Sequence, residues 1–253
     1  MTPADQPILL FLFSVLVLWA AARVGAWLHN RKRGLKEDDR EDFGVILGAT
    51  LTLLGLIIGF SFSMSISRYD QRKNYEESEA NAIGTEYLRA DLLPAADAAR
   101  VRTLLSKYLD QRILFYQATR GSHLDEINTT TAQLQTDLWS AIRPPAAAQP
   151  TPIVGLAVSG MNDVLNSQGY TQAAWWNRIP FAAWCLMSLI AICGNILLGY
   201  YLKDPKSKSS LLFILPLILS ISFLLIADID SPRGGFIHVT PQNLLSLSQS
   251  LRP

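Results

Sequence analysis

Residues 51–87 read LTLLGLIIGFSFSMSISRYDQRKNYEESEANAIGTEY. No proline interrupts the stretch as it passes from apolar residues (Leu53, Leu56, Ile57, Phe60) through serines into charge. The polar part keeps a helix-forming composition, which predicts one long helix that leaves a membrane and continues into a soluble domain. Together with the residues just before it, the apolar half carries two glycine pairs at spacing four, Gly44/Gly48 and Gly55/Gly59. Such pairs let a second helix approach closely. Thr52, Ser61, Ser63, Ser65 and Ser67 add more hydroxyls than a helix facing only lipid needs. They read either as the lining of a polar path or as side chains bonded back to their own helix carbonyls.

Composition narrows the class. With 253 residues, 49% of them hydrophobic, and a positive mean hydropathy, the chain is too apolar for an ordinary soluble domain. A net charge of +1 and the lack of basic clusters interleaved with aromatics exclude nucleic acid as an expected partner. Cys185 and Cys193 share one apolar segment, roughly 12 Å apart along a helix, beyond disulfide reach; they read as inert packing residues. His29, His123 and His238 have no metal-ligand spacing, so neither a metal nor a cofactor is expected. The sequence holds no nucleophile elbow, phosphate loop, HExxH or CxxC, which argues against an enzyme.

Residues 7–28, 43–66, 179–202 and 210–227 approach or reach spanning length, about 20 residues. The first has no basic residue before it, unlike a cleaved signal peptide. Pro216 in the fourth implies a kink. Four spans put both termini and the region 68–178 on one side. The loops on the other side hold Arg31, Lys32, Arg33, Lys36, Arg40, Lys203, Lys206 and Lys208, against Arg68, Arg72, Lys73, Arg178 and Arg233 opposite. Lys and Arg favour the cytoplasmic side. The expected location is a bacterial inner membrane, with the soluble domain and both termini periplasmic.

The resulting fold class is an all-α integral membrane protein: four transmembrane helices, with a helical soluble domain inserted between the second and third. The expected units are 1–67, 68–178, 179–228 and a tail, 229–253. In the soluble domain, Pro94 opens a helix with Val101, Leu104, Leu105, Tyr108, Leu109, Ile113 and Tyr116 at helical spacing. Gly121 ends it, and Ser122 with Asp125 resembles the capping pair of a helix over 124–142. RPPAAAQP (143–150) reads as a linker and 152–170 as a further helix, with Trp175 and Trp176 at a membrane-interface belt.

Charges near the helix exits have a plain reading and a functional one. Asp70, Asp228, Asp230 and Arg233, with Arg68 and Arg72, most simply make structural ion pairs. A basic ring of Arg68 and Arg72 at a pore mouth would instead concentrate anions. Asp228 and Asp230 are too few for calcium, which takes six to eight oxygens; Pro232, Gly234 and Gly235 mark a turn. Glu76, Glu77, Glu79 and Glu86 read as a solvated, salt-bridged face. Asn195 in the third span is expected to bond a neighbouring helix.

Gly59-Phe60, followed by Arg68-Tyr69 and Arg72, resembles the second membrane helix of bestrophin ion channels. The motifs at 53–73, EANAIGTEYLRADLLP (79–94) and DIDSPRGGFIHVTPQNL (228–244) are similar to those of a bacterial bestrophin-like family of unknown function. The resemblance implies a homo-oligomer, a pentamer, in membrane lipid, whose second helices line a pore. It places Phe60 in a hydrophobic neck, with Leu56 and Thr52 one and two turns earlier. At about 100° per residue, Thr52, Leu56, Phe60, Ser63 and Ser67 fall within one arc of about 80°, with the glycines at its edge. Ser61 stands where bacterial bestrophins tend to have arginine, and bestrophins keep their large domain in the cytoplasm, opposite to the charge bias here.

Two functional classes follow. The first is an oligomeric pore passing small ions, with anions favoured by Arg68 and Arg72. The second is a non-conducting scaffold or sensor whose helical domain binds a partner. A transporter is disfavoured by the lack of an inverted repeat.

Overall fold

The computed structural model of the chain describes residues 6–31, 37–118, 121–202 and 210–251. Among the described residues there are eight α-helices and no strand: α1 (Pro7–Arg31), α2 (Glu37–Arg89), α3 (Ala95–Gln117), α4 (Ser122–Ala148), α5 (Pro152–Trp176), α6 (Phe181–Tyr201), α7 (Leu211–Asp230) and α8 (Gln242–Ser250). A 3-10 turn, Ala90–Leu92, follows α2. Among the described residues four segments are long and apolar enough to cross a membrane: α1, α2, one within Pro152–Tyr201 whose apolar part is α6, and α7. The unbroken 53-residue α2 is the expected long helix, free of internal proline. The loop cations Lys32, Arg33, Lys36, Lys203, Lys206 and Lys208 lie outside the described residues.

The chain divides into two units: Met1–Ser67 with Arg178–His238, and Arg68–Asn177 with Val239–Pro253. The division departs from the expected boundaries at the tail, which is shared between them. In the first unit Leu18, Leu54, Met187, Ala191, Leu219, Phe223 and Ile226 form the core. Here α1 and α6 run parallel and cross at Gly25 and Gly199. A Cβ on Gly25 would overlap the Ile196 carbonyl oxygen, and one on Gly199 the Ala22 carbonyl oxygen. The last carbonyls of α6, orphaned as at any helix end, are met by two side chains: His29 Nδ1 donates to Tyr200 O (2.6 Å) and Arg40 Nη2 to Tyr201 O (2.7 Å). Arg40 also lies 4.8 Å over the Tyr201 ring. Cys185 and Cys193, expected in packing positions, are exposed. Asn195 is buried, but its amide donates to Ala191 O of its own helix (2.8 Å) rather than to a neighbour.

The second unit packs the soluble half of α2 with α3, α4, α5 and α8 around Val101, Leu105, Tyr108, Leu109, Leu138, Ile142, Met161 and Leu244. The expected apolar stripe of α3 is buried or packed against this core. Pro94 is its N-cap, and the chain leaves the helix at Ala118, three residues before Gly121. Gly121, with φ +129°, is the N-cap of α4, and Ser122 is the first residue of the helix. The expected linker is helical: α4 continues through Pro144 and Pro145 to Ala148. Pro145 is buried and Ala146 packs against the core, and this burial offsets the two lost backbone hydrogen bonds. Trp175 is a core residue and not a belt residue, 5.0 Å from the Phe115 ring centroid and 5.4 Å from that of Tyr116. Trp176 is exposed.

Candidate functional site

Two faces of α2 differ sharply in what they touch. Leu47, Leu54, Ser61, Ser65, Arg72, Glu76, Glu79, Ile83, Glu86 and Ala90 are all buried. Their separations of three, four or seven residues make one seam along a helix, as in a coiled coil. Thr52, Leu56, Phe60, Ser63 and Ser67 are exposed, Phe60 at 64% and Leu56 at 54%. At about 100° per residue the centre of this arc lies on the side of the helix opposite Leu54 and Ser65. Of the serines, Ser65 bonds back to Ser61 O (3.0 Å) on the seam. Ser63 and Ser67 belong to the open face.

The glycines separate in the same way. A side chain on Gly44 would lie 3.5 Å from the Tyr201 hydroxyl, an ordinary contact. Added at Gly48, Gly55 or Gly59 it would meet no atom of the chain among the described residues. These three leave a shallow edge between the covered seam and the open arc. The close helix approach within the protomer uses Gly25 and Gly199, which no spacing in the sequence marked, because their partnership joins two distant helices.

The structure redistributes the exit charges. Arg72 is 1% exposed and lies on the seam, away from the open arc; Arg68 is half-buried. In the second unit Asp70, Asn74, Glu77 and Asn81 of α2 are all exposed. Asp228 is buried, and its carboxylate accepts from the Phe236 amide (2.8 Å) and the Ile237 amide (2.9 Å). It thereby shapes the turn after α7, where Gly235 has φ +89° and no room for a Cβ beside Asp228 Oδ1. Asp230 accepts from the Ile179 amide with both oxygens at 3.2 Å, tying the end of α7 to the start of α6. Arg233 is half-buried in the same turn. The exit carboxylates Asp228 and Asp230 thus hold backbone. Among the described residues no group of three or more His, Cys, Asp or Glu gathers as metal ligands would.

The soluble half of the seam is the feature that residue types concealed. Glu76, Glu79 and Glu86 were expected on a solvated face, but only Glu77 of the four is exposed. The signal was positional: they share a three-and-four spacing with Ile83 and Ala90. Glu79 forms a fully buried ion pair with Arg112 of α3 and also accepts from the Thr171 hydroxyl of α5 (3.2 Å) and, at longer range, from Tyr116 (3.4 Å). Burial, then the nearby charge of Glu79, pushes the Tyr116 and Tyr108 hydroxyls above the ordinary tyrosine range. Both phenols stay protonated, and Tyr116 donates to Glu79.

Glu76 caps a helix other than its own. Its Oε1 accepts from the Leu244 amide (2.9 Å) and its Oε2 from Asn243 Nδ2 (2.6 Å) at the start of α8. A carboxylate at that position meets the orphan amides and the positive end of the helix dipole. Leu247 then packs over Gly84 of α2. Glu76→Ala is expected to weaken the docking of α8 by about 1–2 kcal/mol. Hydrogen exchange should accelerate across 242–250 and stay unchanged in α3 and α4.

Apolar spanning helices, a long helix shared by both units and a helical domain inserted between spans define a multi-pass helical membrane protein. The Bestrophin-like domain model matches residues 8–244, and the chain belongs to the bestrophin-like family. Solved structures of a bacterial bestrophin homologue from Klebsiella pneumoniae share its fold. One covers 97% of each chain at 16% identity with a TM-score of 0.64. A second, solved by zinc phasing, covers 97% of this chain and 99% of its own at 17% identity, TM-score 0.63. A variant of the same homologue covers 95% and 98% at 18% identity, TM-score 0.63. No curated protein matches the chain.

Proposed function

We propose that this chain is one subunit of an oligomeric membrane pore for small ions, with the open arc of α2 lining it. The observation that carries this reading is that Thr52, Leu56, Phe60, Ser63 and Ser67 share one exposed face of a helix whose opposite face is buried. Phe60, with Leu56 and Thr52, forms the neck; Ser63 and Ser67 continue the path, as in the family resemblance. Gly48, Gly55 and Gly59, where a Cβ meets no atom among the described residues, seat the neighbouring subunit. A ring of phenylalanines closes such a path by dewetting. The Lys and Arg bias of the loops places the helical unit and both termini in the periplasm of a bacterial inner membrane.

The sign of a passing ion depends on the charges at the mouth. Arg72 is buried on the seam and Arg68 lies toward it, whereas Asp70 and Glu77 are exposed beyond Ser67. Acidic side chains at a mouth concentrate cations. The anion preference expected from Arg68 and Arg72 is therefore set against a cation preference from Asp70 and Glu77, which is the reading we put forward.

Flux of halides and of alkali cations from liposomes carrying the purified protein tests both statements. Phe60→Ala is expected to raise flux roughly tenfold by removing the apolar constriction. Asp70→Asn with Glu77→Gln is expected to lower cation preference while total conductance persists. Protein that is folded and assembled but passes no ion in either form would sink the pore in favour of a scaffold or sensor. A halide preference unchanged by the acidic pair would sink the cation assignment alone.

A further inference from the structure

Three acids lie on the buried seam of α2, and their surroundings differ. Glu79 accepts from Arg112 and Thr171, and Glu76 from two donors of α8. Glu86 is fully buried, and neither of its carboxyl oxygens has a hydrogen-bond partner. It lies against α5 at Gly160. A Cβ at that position would overlap Glu86 Oε2, come 2.5 Å from Arg89 Nη1 and stand 3.1 Å from Arg89 Cδ. The missing side chain of Gly160 is therefore what makes room for the carboxyl and for Arg89 beside it.

The charged groups that face Glu86 are few. Arg89 follows it by three residues on α2, and Asp163 is on α5. Arg102 of α3 turns elsewhere, to Asp91 and to the Tyr87 carbonyl. A carboxylate in this place would be buried without a donor, which disfavours the charged form. Burial accordingly pushes the Glu86 carboxyl up to about 8; Arg89 pulls it down, and Asp163 adds to the rise.

We propose that Glu86 is a proton-operated switch between α2 and α5: the neutral acid lies beside Arg89 in the Gly160 notch, and the carboxylate closes onto Arg89 and withdraws from Gly160. The proton is exchanged with solvent, and no other group need change its charge. Residues at i and i+3 on a helix are neighbours, so the pair forms by side-chain rotation. Loss of the carboxyl from the notch removes the contact that fits Gly160, and α5 loosens there. Because α2 is unbroken from Glu37 to Arg89, the event occurs on the same helix that carries the open arc. The switch does not depend on conduction by the chain.

Two readings on the full-length protein in detergent test it. The carbonyl stretch of a protonated carboxyl should be present at pH 6.5, disappear through a midpoint near 8 and be missing in Glu86→Gln. Hydrogen exchange across 152–164, corrected for intrinsic rates, should rise about tenfold between pH 7 and 9 in the wild type and stay flat in Glu86→Gln. Gly160→Ala fills the notch, and its exchange should be high at both pH values. A wild-type carboxyl that does not titrate between pH 7 and 9 overturns the proposal. So does a titration with unchanged exchange in α5, since a buried acid that moves nothing is no switch. Should Glu86→Gln fail to fold, the two wild-type curves decide alone, because the proposal requires them to share one midpoint.

Discussion

Replacing Arg112 with methionine while Glu79 remains is expected to destabilise the helical unit by about 3–5 kcal/mol. Both members of the pair are fully buried, and they join α3 to α2. Removing the guanidinium leaves a carboxylate in the core with weaker donors, Thr171 at 3.2 Å and Tyr116 at 3.4 Å. Two hydroxyls do not match a charged fork. Methionine also loses the stacking of Arg112 over the Phe115 ring, 4.3 Å from its centroid. The melting temperature of this unit should fall by on the order of 10 °C or more. Pairing the change with Glu79→Leu should recover much of the loss, because an apolar pair carries no desolvation cost. If the single and double variants melt alike, the carboxylate was never a charge that needed Arg112. A loss near zero in the single variant would mean that water reaches the pair.

The contrast with what the sequence made plain is instructive. The spans over 7–28 and 179–202 and the continuous α2 were legible because their evidence is compositional: long apolar runs, and no proline at the junction. The open arc was legible for a related reason, since Thr52, Leu56, Phe60, Ser63 and Ser67 share a periodicity that survives folding unchanged. The buried seam was not legible from residue type. Glu76, Glu79, Glu86 and Arg72 have the chemistry of a solvated face, and only their register with Ile83 and Ala90 places them inside. Pro144 and Pro145 misled in the opposite direction, because the packing of Pro145 and Ala146 keeps them helical. The position of Trp175 just before the third span points to a membrane-interface belt, whereas α5 runs on to Trp176 and carries Trp175 into the core. The helix α8 is short, and its start is capped by Glu76, 168 residues from Leu244 in the chain.

Gly199→Val and Gly55→Val should have opposite consequences, although both put the same side chain on a membrane helix. At Gly199 the new Cβ falls on the Ala22 carbonyl oxygen, with the Ala26 amide nitrogen also within contact. Those atoms are backbone and cannot rotate away, so α1 and α6 must separate along the parallel crossing. Overpacking costs about 1–3 kcal/mol even where side chains can yield, and here the expected loss is at least that upper figure. The variant should melt early and aggregate on extraction. At Gly55 a Cβ meets no atom among the described residues, so the fold should keep its melting temperature. What it fills is the edge that the proposed neighbouring subunit uses, and the mass of the folded particle in detergent should fall from oligomer to smaller species. Light scattering with thermal melting on the same samples separates the two effects. A Gly55→Val particle of wild-type mass would place the subunit contact elsewhere on α2, and a stable Gly199→Val protein would mean that the helices do not cross at Gly25 and Gly199 in the membrane.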